Sequence, residues 1–182
     1  EWLDTVTQPP PNGWPHSYTE RAREAYLETL KSFVSATVYN RAELSVGAGL
    51  SKIKRDASKF GPLNLDSRRD GRDWTYLGDT MTGWKRLNNV VQLLKDVLEI
   101  NNIAGDYIET GVWRGGSSML ARATIRAYGQ GENRKSYVCD SFRGLPPQAR
   151  DLHRNDKGWD GVPYLEVPEA IVEEGFAKYN LL

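Results

Sequence analysis

Glu109, Gly111, Gly115, Gly116 and Asp140 have the residue types and spacing of half a small-molecule binding site. Glu109 stands near the carboxyl end of the short run Tyr107-Ile108-Glu109-Thr110, and the turn Gly111-Val112-Trp113-Arg114-Gly115-Gly116 follows directly. Glycines in such a turn remove side chains where the backbone must bend sharply and a ligand must come close. Ser117 and Ser118 then start a predicted helix that Gly129 ends, and its first amide hydrogens are expected to face the ligand. A second apolar run, Tyr137-Val138-Cys139, ends at Asp140. Doubly wound folds place an acid that accepts ribose hydroxyls about 20 residues beyond such a turn. The spacing G-x-x-x-G-G departs from the G-x-G-x-x-G pyrophosphate fingerprint, and a carboxylate at Glu109 would repel a diphosphate. A cofactor with a ribose and no diphosphate is therefore expected, and a nicotinamide dehydrogenase is disfavoured.

The elements that must position these residues alternate between helix and strand. Ala22, Ala25, Tyr26, Thr29, Leu30 and Phe33 recur at helical spacing and predict a helix over 19–38. Leu87, Val90, Val91, Leu94, Val97, Leu98 and Ile100 predict a second over 83–101. Parallel strands are expected at 106–112 and 136–141, joined by the helix after the glycine turn in a right-handed crossover. Pro146-Pro147 starts an extended loop, and Pro168 opens a last helix over 169–179. Three regions follow: a proline and tryptophan arm over 1–18, a helix with a lid-like connection over 19–78, and a cofactor-binding half-domain over 79–182. Two parallel strands alone leave a face and edges uncovered, so the sheet is expected to be incomplete, with a continuation or another chain supplying the rest.

Composition narrows the partners. With 24 basic and 24 acidic residues among 182, the formal charge is zero, so no long-range field recruits nucleic acid. The apolar runs are short and interrupted by charges, which disfavours membrane insertion and a signal peptide. The single cysteine, Cys139, allows no intrachain disulfide and reads as a small buried hydrophobe in the second strand. Because the chain opens at Glu1, a processed or trimmed product is expected. The cytoplasm is the default compartment, with an organelle left open.

Three segments carry a resemblance: Thr80 through Asn89, Gly105 through Gly116, and Asp140-Ser141-Phe142-Arg143-Gly144-Leu145-Pro146-Pro147. They resemble the macrocin O-methyltransferase (TylF-type) family, with weaker similarity at Tyr26-Leu27-Glu28-Thr29-Leu30-Lys31. The resemblance implies the N-terminal part of a Rossmann-like class I methyltransferase fold, S-adenosylmethionine as methyl donor, and a hydroxyl of a sugar or other small natural product as acceptor. It also implies magnesium or another divalent metal, held by aspartates beyond the end of this chain, so no metal ligand is assigned.

By the same resemblance, Glu109 and the glycine turn of Gly111, Val112, Trp113, Gly115 and Gly116 lie by the methionine moiety, and Ser117, at the helix start, is a cofactor contact. Asp140, Ser141 and Phe142 lie by the adenosine, and Thr80 and Met81 touch the cofactor. Plainer readings stand beside these roles: Glu109 as a strand-end charge, Thr80 as a helix cap, Trp113 as packing and Phe142 as core. Asp151, Asp156, Asp160 and Glu166 read as a solvated loop, and His153 and His16 as surface, so the catalytic base is unassigned. The alternative function is a non-catalytic, methyltransferase-like docking subunit, with contact to another chain or a second copy.

Overall fold

The computed structural model describes residues 16–39, 45–46, 64–72, 74–145 and 162–182. In chain order the elements are α1 (His16–Val34), β1 (Ser45–Val46), α2 (Leu65–Arg69), β2 (Trp74–Thr75), α3 (Trp84–Lys95), β3 (Tyr107–Thr110), α4 (Gly116–Ala127), β4 (Ser136–Cys139) and α5 (Glu169–Lys178). A π-helical turn over Asp96–Ile100 prolongs α3, and a 3-10 turn at Pro163–Leu165 precedes α5. Strands β3 and β4 pair in parallel, with Tyr107 opposite Ser136 and Thr110 opposite Cys139. The short β1 and β2 pair antiparallel. The fold is α/β, a partial Rossmann-like arrangement with helices flanking a small parallel sheet.

Helix α4 forms the centre because its sequence mixes small residues with a few long apolar ones. Met119, Leu120, Ala121 and Ala123 are fully buried, and Ile125 nearly so. Around it pack Leu27, Leu30 and Val34 of α1, Leu87 of α3, and Val172 and Phe176 of α5. Leu94 and Leu98 meet Ala121 and Ile125 on the other side. Close approach depends on glycine: a Cβ on Gly175 of α5 would lie 2.2 Å from the Met119 methyl carbon.

Several expectations change. The buried face of α1 is Leu27, Leu30, Lys31 and Val34, whereas Ala22, Ala25, Tyr26, Thr29 and Phe33 are exposed. Only Leu30 of the predicted stripe points inward. The reason is Lys31, whose ammonium donates to Asn88 Oδ1 at 2.5 Å and lies 4.7 Å from the Trp84 ring, so a charged residue belongs to the interior side. Its partner Glu28 holds the same ammonium at 2.5 Å.

Cys139 is exposed rather than buried. Alternation turns Tyr107, Glu109 and Val138 inward, while Ile108 (63% exposed), Tyr137 (47%) and Cys139 stand on an uncovered sheet face. Both strands end sooner than expected, because Gly111 takes φ +78° and Asp140 turns into a hydrogen-bonded bend. Helix α1 begins at His16, inside the expected arm; the arm's remainder, 1–15, lies outside the described residues. The lid-like connection contains α2, capped where Asn64 Oδ1 accepts from Ser67 N at 2.9 Å. Its 47–63 portion, and the loop 146–161 with His153, Asp151, Asp156 and Asp160, also lie outside the described residues. Among the described residues, no helix is long and apolar enough to cross a membrane.

Candidate functional site

The site forms at the carboxyl ends of β3 and β4, where ligands settle in open α/β sheets. Gly111 N donates to Cys139 O at 2.8 Å, the last bond of the parallel ladder, and φ +78° then carries the chain out of the sheet. A Cβ on Gly111 would meet nothing within 4 Å, so this glycine faces open space.

Asp140 ties the two strand ends together. Its Oδ2 accepts from Val112 N at 2.8 Å and Trp113 N at 3.2 Å, and its Oδ1 accepts from Phe142 N at 3.0 Å. Burial acts to raise its pKa, but the backbone N–H groups of Phe142, Trp113 and Val112 outweigh burial and hold the carboxyl below its ordinary range. A fixed negative charge therefore stands at the rim at neutral pH. Trp113, at φ +52°, is braced from the other side: its indole N–H donates to Tyr164 O at 2.7 Å. The Arg114 guanidinium lies 4.3 Å from the Trp113 ring and donates to Tyr76 O and Gly78 O at 2.8 and 2.9 Å. The Tyr164 hydroxyl donates to Thr75 O, joining the turn before α5 to β2.

Beside these braces lies an open cavity of about 410 Å³ lined by Met81, Gly111, Trp113, Asp140, Ser141, Gly144, Leu145 and Leu165. A larger cavity, about 660 Å³, runs along β4 from Lys135 and Ser136 to Phe142 and is walled by Val172 and Phe176 of α5; it takes in neither the Gly111 turn nor Asp140. The smaller one is the candidate site.

Five residues singled out in the sequence line it: Met81, Gly111, Trp113, Asp140 and Ser141. Gly144 and Leu145 lay inside a motif segment without an assigned role. Leu165 likewise had no assigned role; it reaches the cavity from the turn that follows segment 146–161.

The other candidates sit elsewhere. Glu109 turns toward α4, where its carboxylate accepts from the Ser118 hydroxyl and from Tyr107 OH, the latter at 3.3 Å. Burial pushes its pKa above the ordinary range, and those two donors only partly offset it. Tyr107 is likewise pushed up, by burial first and then by the charge of Glu109.

A side chain at Gly115 or Gly116 would collide with the chain itself. A Cβ on Gly115 would sit 2.9 Å from Val172 Cγ1, and one on Gly116 would sit 2.6 Å from the Asp79 carbonyl carbon and oxygen. Gly116 N donates to Asp79 O at 2.8 Å, so one of the amides expected to face a ligand at the start of α4 is already occupied. Ser117 Oγ lies 3.3 Å from both Thr80 Oγ1 and Thr82 Oγ1. Thr80 does not cap α3. Its hydroxyl accepts from Thr82 N at 3.0 Å, and the N-cap is Gly83, packed with no room for a side chain against Gly71. Val112 is buried, and Phe142, at φ +55°, packs against the core and lines the larger cavity. Among the described residues, no group of three or more His, Cys, Asp and Glu side chains could hold a metal ion.

Comparison with known proteins follows the same outline. Residues 23–182 match the family described as Macrocin-O-methyltransferase (TylF). The chain is similar to the 8-demethyl-8-(2,3-dimethoxy-alpha-L-rhamnosyl)-tetracenomycin-C 4'-O-methyltransferase of Streptomyces olivaceus, with 37% identity over 90% of this chain and 59% of that protein. It is also similar to the mycinamicin III 3''-O-methyltransferase of Micromonospora griseorubida, with 34% identity over 87% of this chain and 60% of the relative. Among solved structures, the O-methyltransferase NovP superposes with a TM-score of 0.71 at 32% identity, covering 88% of this chain and 60% of that one. The chain thus spans about three-fifths of the length of these proteins.

Proposed function

The chain belongs to the macrocin-O-methyltransferase (TylF) family, and from that premise we propose that its cavity binds S-adenosylmethionine for methylation of a small natural product's hydroxyl, on a sugar foremost. The observation that carries this reading is the meeting of Gly111, Asp140 and Met81 at the carboxyl ends of two parallel strands. The O-methyltransferase names of the relatives support an oxygen acceptor, and one of those names includes a rhamnosyl group.

The residues present fit such a cofactor. Met81, Trp113, Leu145 and Leu165 offer apolar walls for a flat base, and the bare backbone at Gly111 admits a close approach. Ionised Asp140 places a negative charge at the rim that favours a cationic ligand; its Oδ2 is already taken by the Val112 and Trp113 N–H groups, which leaves Oδ1, shared with Phe142 N, as the acceptor for a ribose hydroxyl. When bound, S-adenosylmethionine supplies an electrophilic methyl group on a positive sulfur. The chain's part is to hold and orient, with the Trp113 indole, buried and braced by Tyr164, closing one side to water. Glu109 would act on the cofactor only indirectly, by fixing β3 against α4 through Ser118. Help from magnesium or another divalent metal would draw on residues beyond those described.

Calorimetric titration of the chain with S-adenosylmethionine or S-adenosylhomocysteine is the test. Binding is expected, and Asp140→Ala should abolish it by releasing both turns. No heat from the wild-type chain, with magnesium present, would overturn the reading. A non-catalytic docking subunit would then be favoured, for which the exposed Ile108 and Tyr137 supply the surface.

A further inference from the structure

Met81 lines the cavity from a segment with no regular structure, so something other than a helix or a ladder must hold it in place. The contacts converge on the residue two positions before it. Asp79 N and Thr80 N both donate to Val34 O, at 2.7 and 3.1 Å, which anchors the segment to the end of α1. Asp79 O accepts from Gly116 N at 2.8 Å, which anchors it to the start of α4. The Asp79 carboxylate, whose side chain is only 14% exposed, receives Lys178 Nζ at 2.8 and 2.9 Å and Tyr179 OH at 2.6 Å from the end of α5. Lys178 Nζ also lies 4.5 Å from the Tyr179 ring, so the two donors support each other. One residue thus joins three helix ends, and the absent side chain of Gly116 leaves the space in which its carbonyl sits.

We infer that Asp79 is a positioning residue for the cavity: clamped by Lys178 and Tyr179, it fixes Thr80 and Met81 so that Met81 forms the cavity wall. Resting on the cofactor reading above, this makes α5 the remote support of the cofactor site, although α5 itself lies outside the cavity lining. Charge-assisted hydrogen bonds are the stronger kind and lose their value steeply when one partner is removed. The hydroxyl of Tyr179 is pushed above its ordinary range by burial and then by Asp79, so it stays protonated and donating through neutral pH.

The chain contains two methionines, which allows a direct readout. With methyl-13C methionine, Met81 should report the cavity wall and Met119, fully buried, the integrity of the core. Tyr179→Phe, Lys178→Leu and Asp79→Asn are each expected to shift or broaden the Met81 resonance while Met119 stays a single sharp line. The affinity for S-adenosylhomocysteine should fall about tenfold, the weight of one charge-assisted hydrogen bond passed on to the wall. Tyr179→Phe, which keeps the ring, decides the matter should Asp79→Asn fail to fold. An unchanged Met81 resonance and an affinity within about twofold in Tyr179→Phe and Lys178→Leu would overturn the inference. A wild-type chain that binds no cofactor, but whose Met81 resonance still answers to these substitutions, would remove the cofactor reading and leave the positioning role in place.

Discussion

Gly111 and Gly116 are the same residue within one turn, yet they face opposite demands, and substitution should separate them. Gly116→Ala puts a methyl group 2.6 Å from the Asp79 backbone, which cannot move without releasing α1 and α5. A loss of roughly 1–3 kcal/mol is expected, seen as a lower urea midpoint. Gly111→Ala meets no atom and incurs only the strain of positive φ, roughly 1–2 kcal/mol, while filling space at the cavity. Its larger effect should be on S-adenosylhomocysteine affinity by calorimetry. Glu109 gives a pH prediction. Its pKa is raised from an ordinary 4.5, so the folded chain binds the proton more tightly than the unfolded chain. Stability from this group is present below the ordinary value and falls as pH climbs toward the folded value. Glu109→Gln should therefore stabilise the chain at neutral pH, the gain fading toward about pH 4, in urea titrations across that range. The types and spacing of these residues were legible, but not which glycine faces the cavity and which faces chain, since Val172 and Asp79 come from distant segments.

At the scale of elements, α4 holds the others together. Met119→Ala removes a fully buried side chain that touches Gly175 of α5 and should cost about 2–5 kcal/mol in a denaturant titration. Helices α3, α4 and α5 were legible because local periodicity and the breakers Gly129 and Pro168 act within the segment itself. The face of α1 was not. Lys31 reads as a solvent-side charge until Asn88 and Trp84 are brought beside it, and its burial rotates the helix away from the Tyr26 and Phe33 stripe. The π turn after α3 likewise shifts the last residues, leaving Ile100 exposed.

At the scale of the whole molecule, one face of the parallel pair is open among the described residues, and Cys139 lies on it. The thiol should react with a small disulfide reagent in the native chain about as fast as in urea. Reaction only after unfolding would mean that the face is covered. Local chemistry in the sequence was enough to determine the order of α1, α3, β3, α4, β4 and α5, the glycine turn, the strand-end acid and the family, because each depends on neighbours a few positions away; β1, α2 and β2 were not foreseen. Tertiary structure alone decided which of these residues share a cavity, why Leu165 joins them, and that Asp79 receives Tyr179 across 100 positions of chain. Such pairings have no local pattern; they exist only once packing around α4 brings distant segments within hydrogen-bond reach.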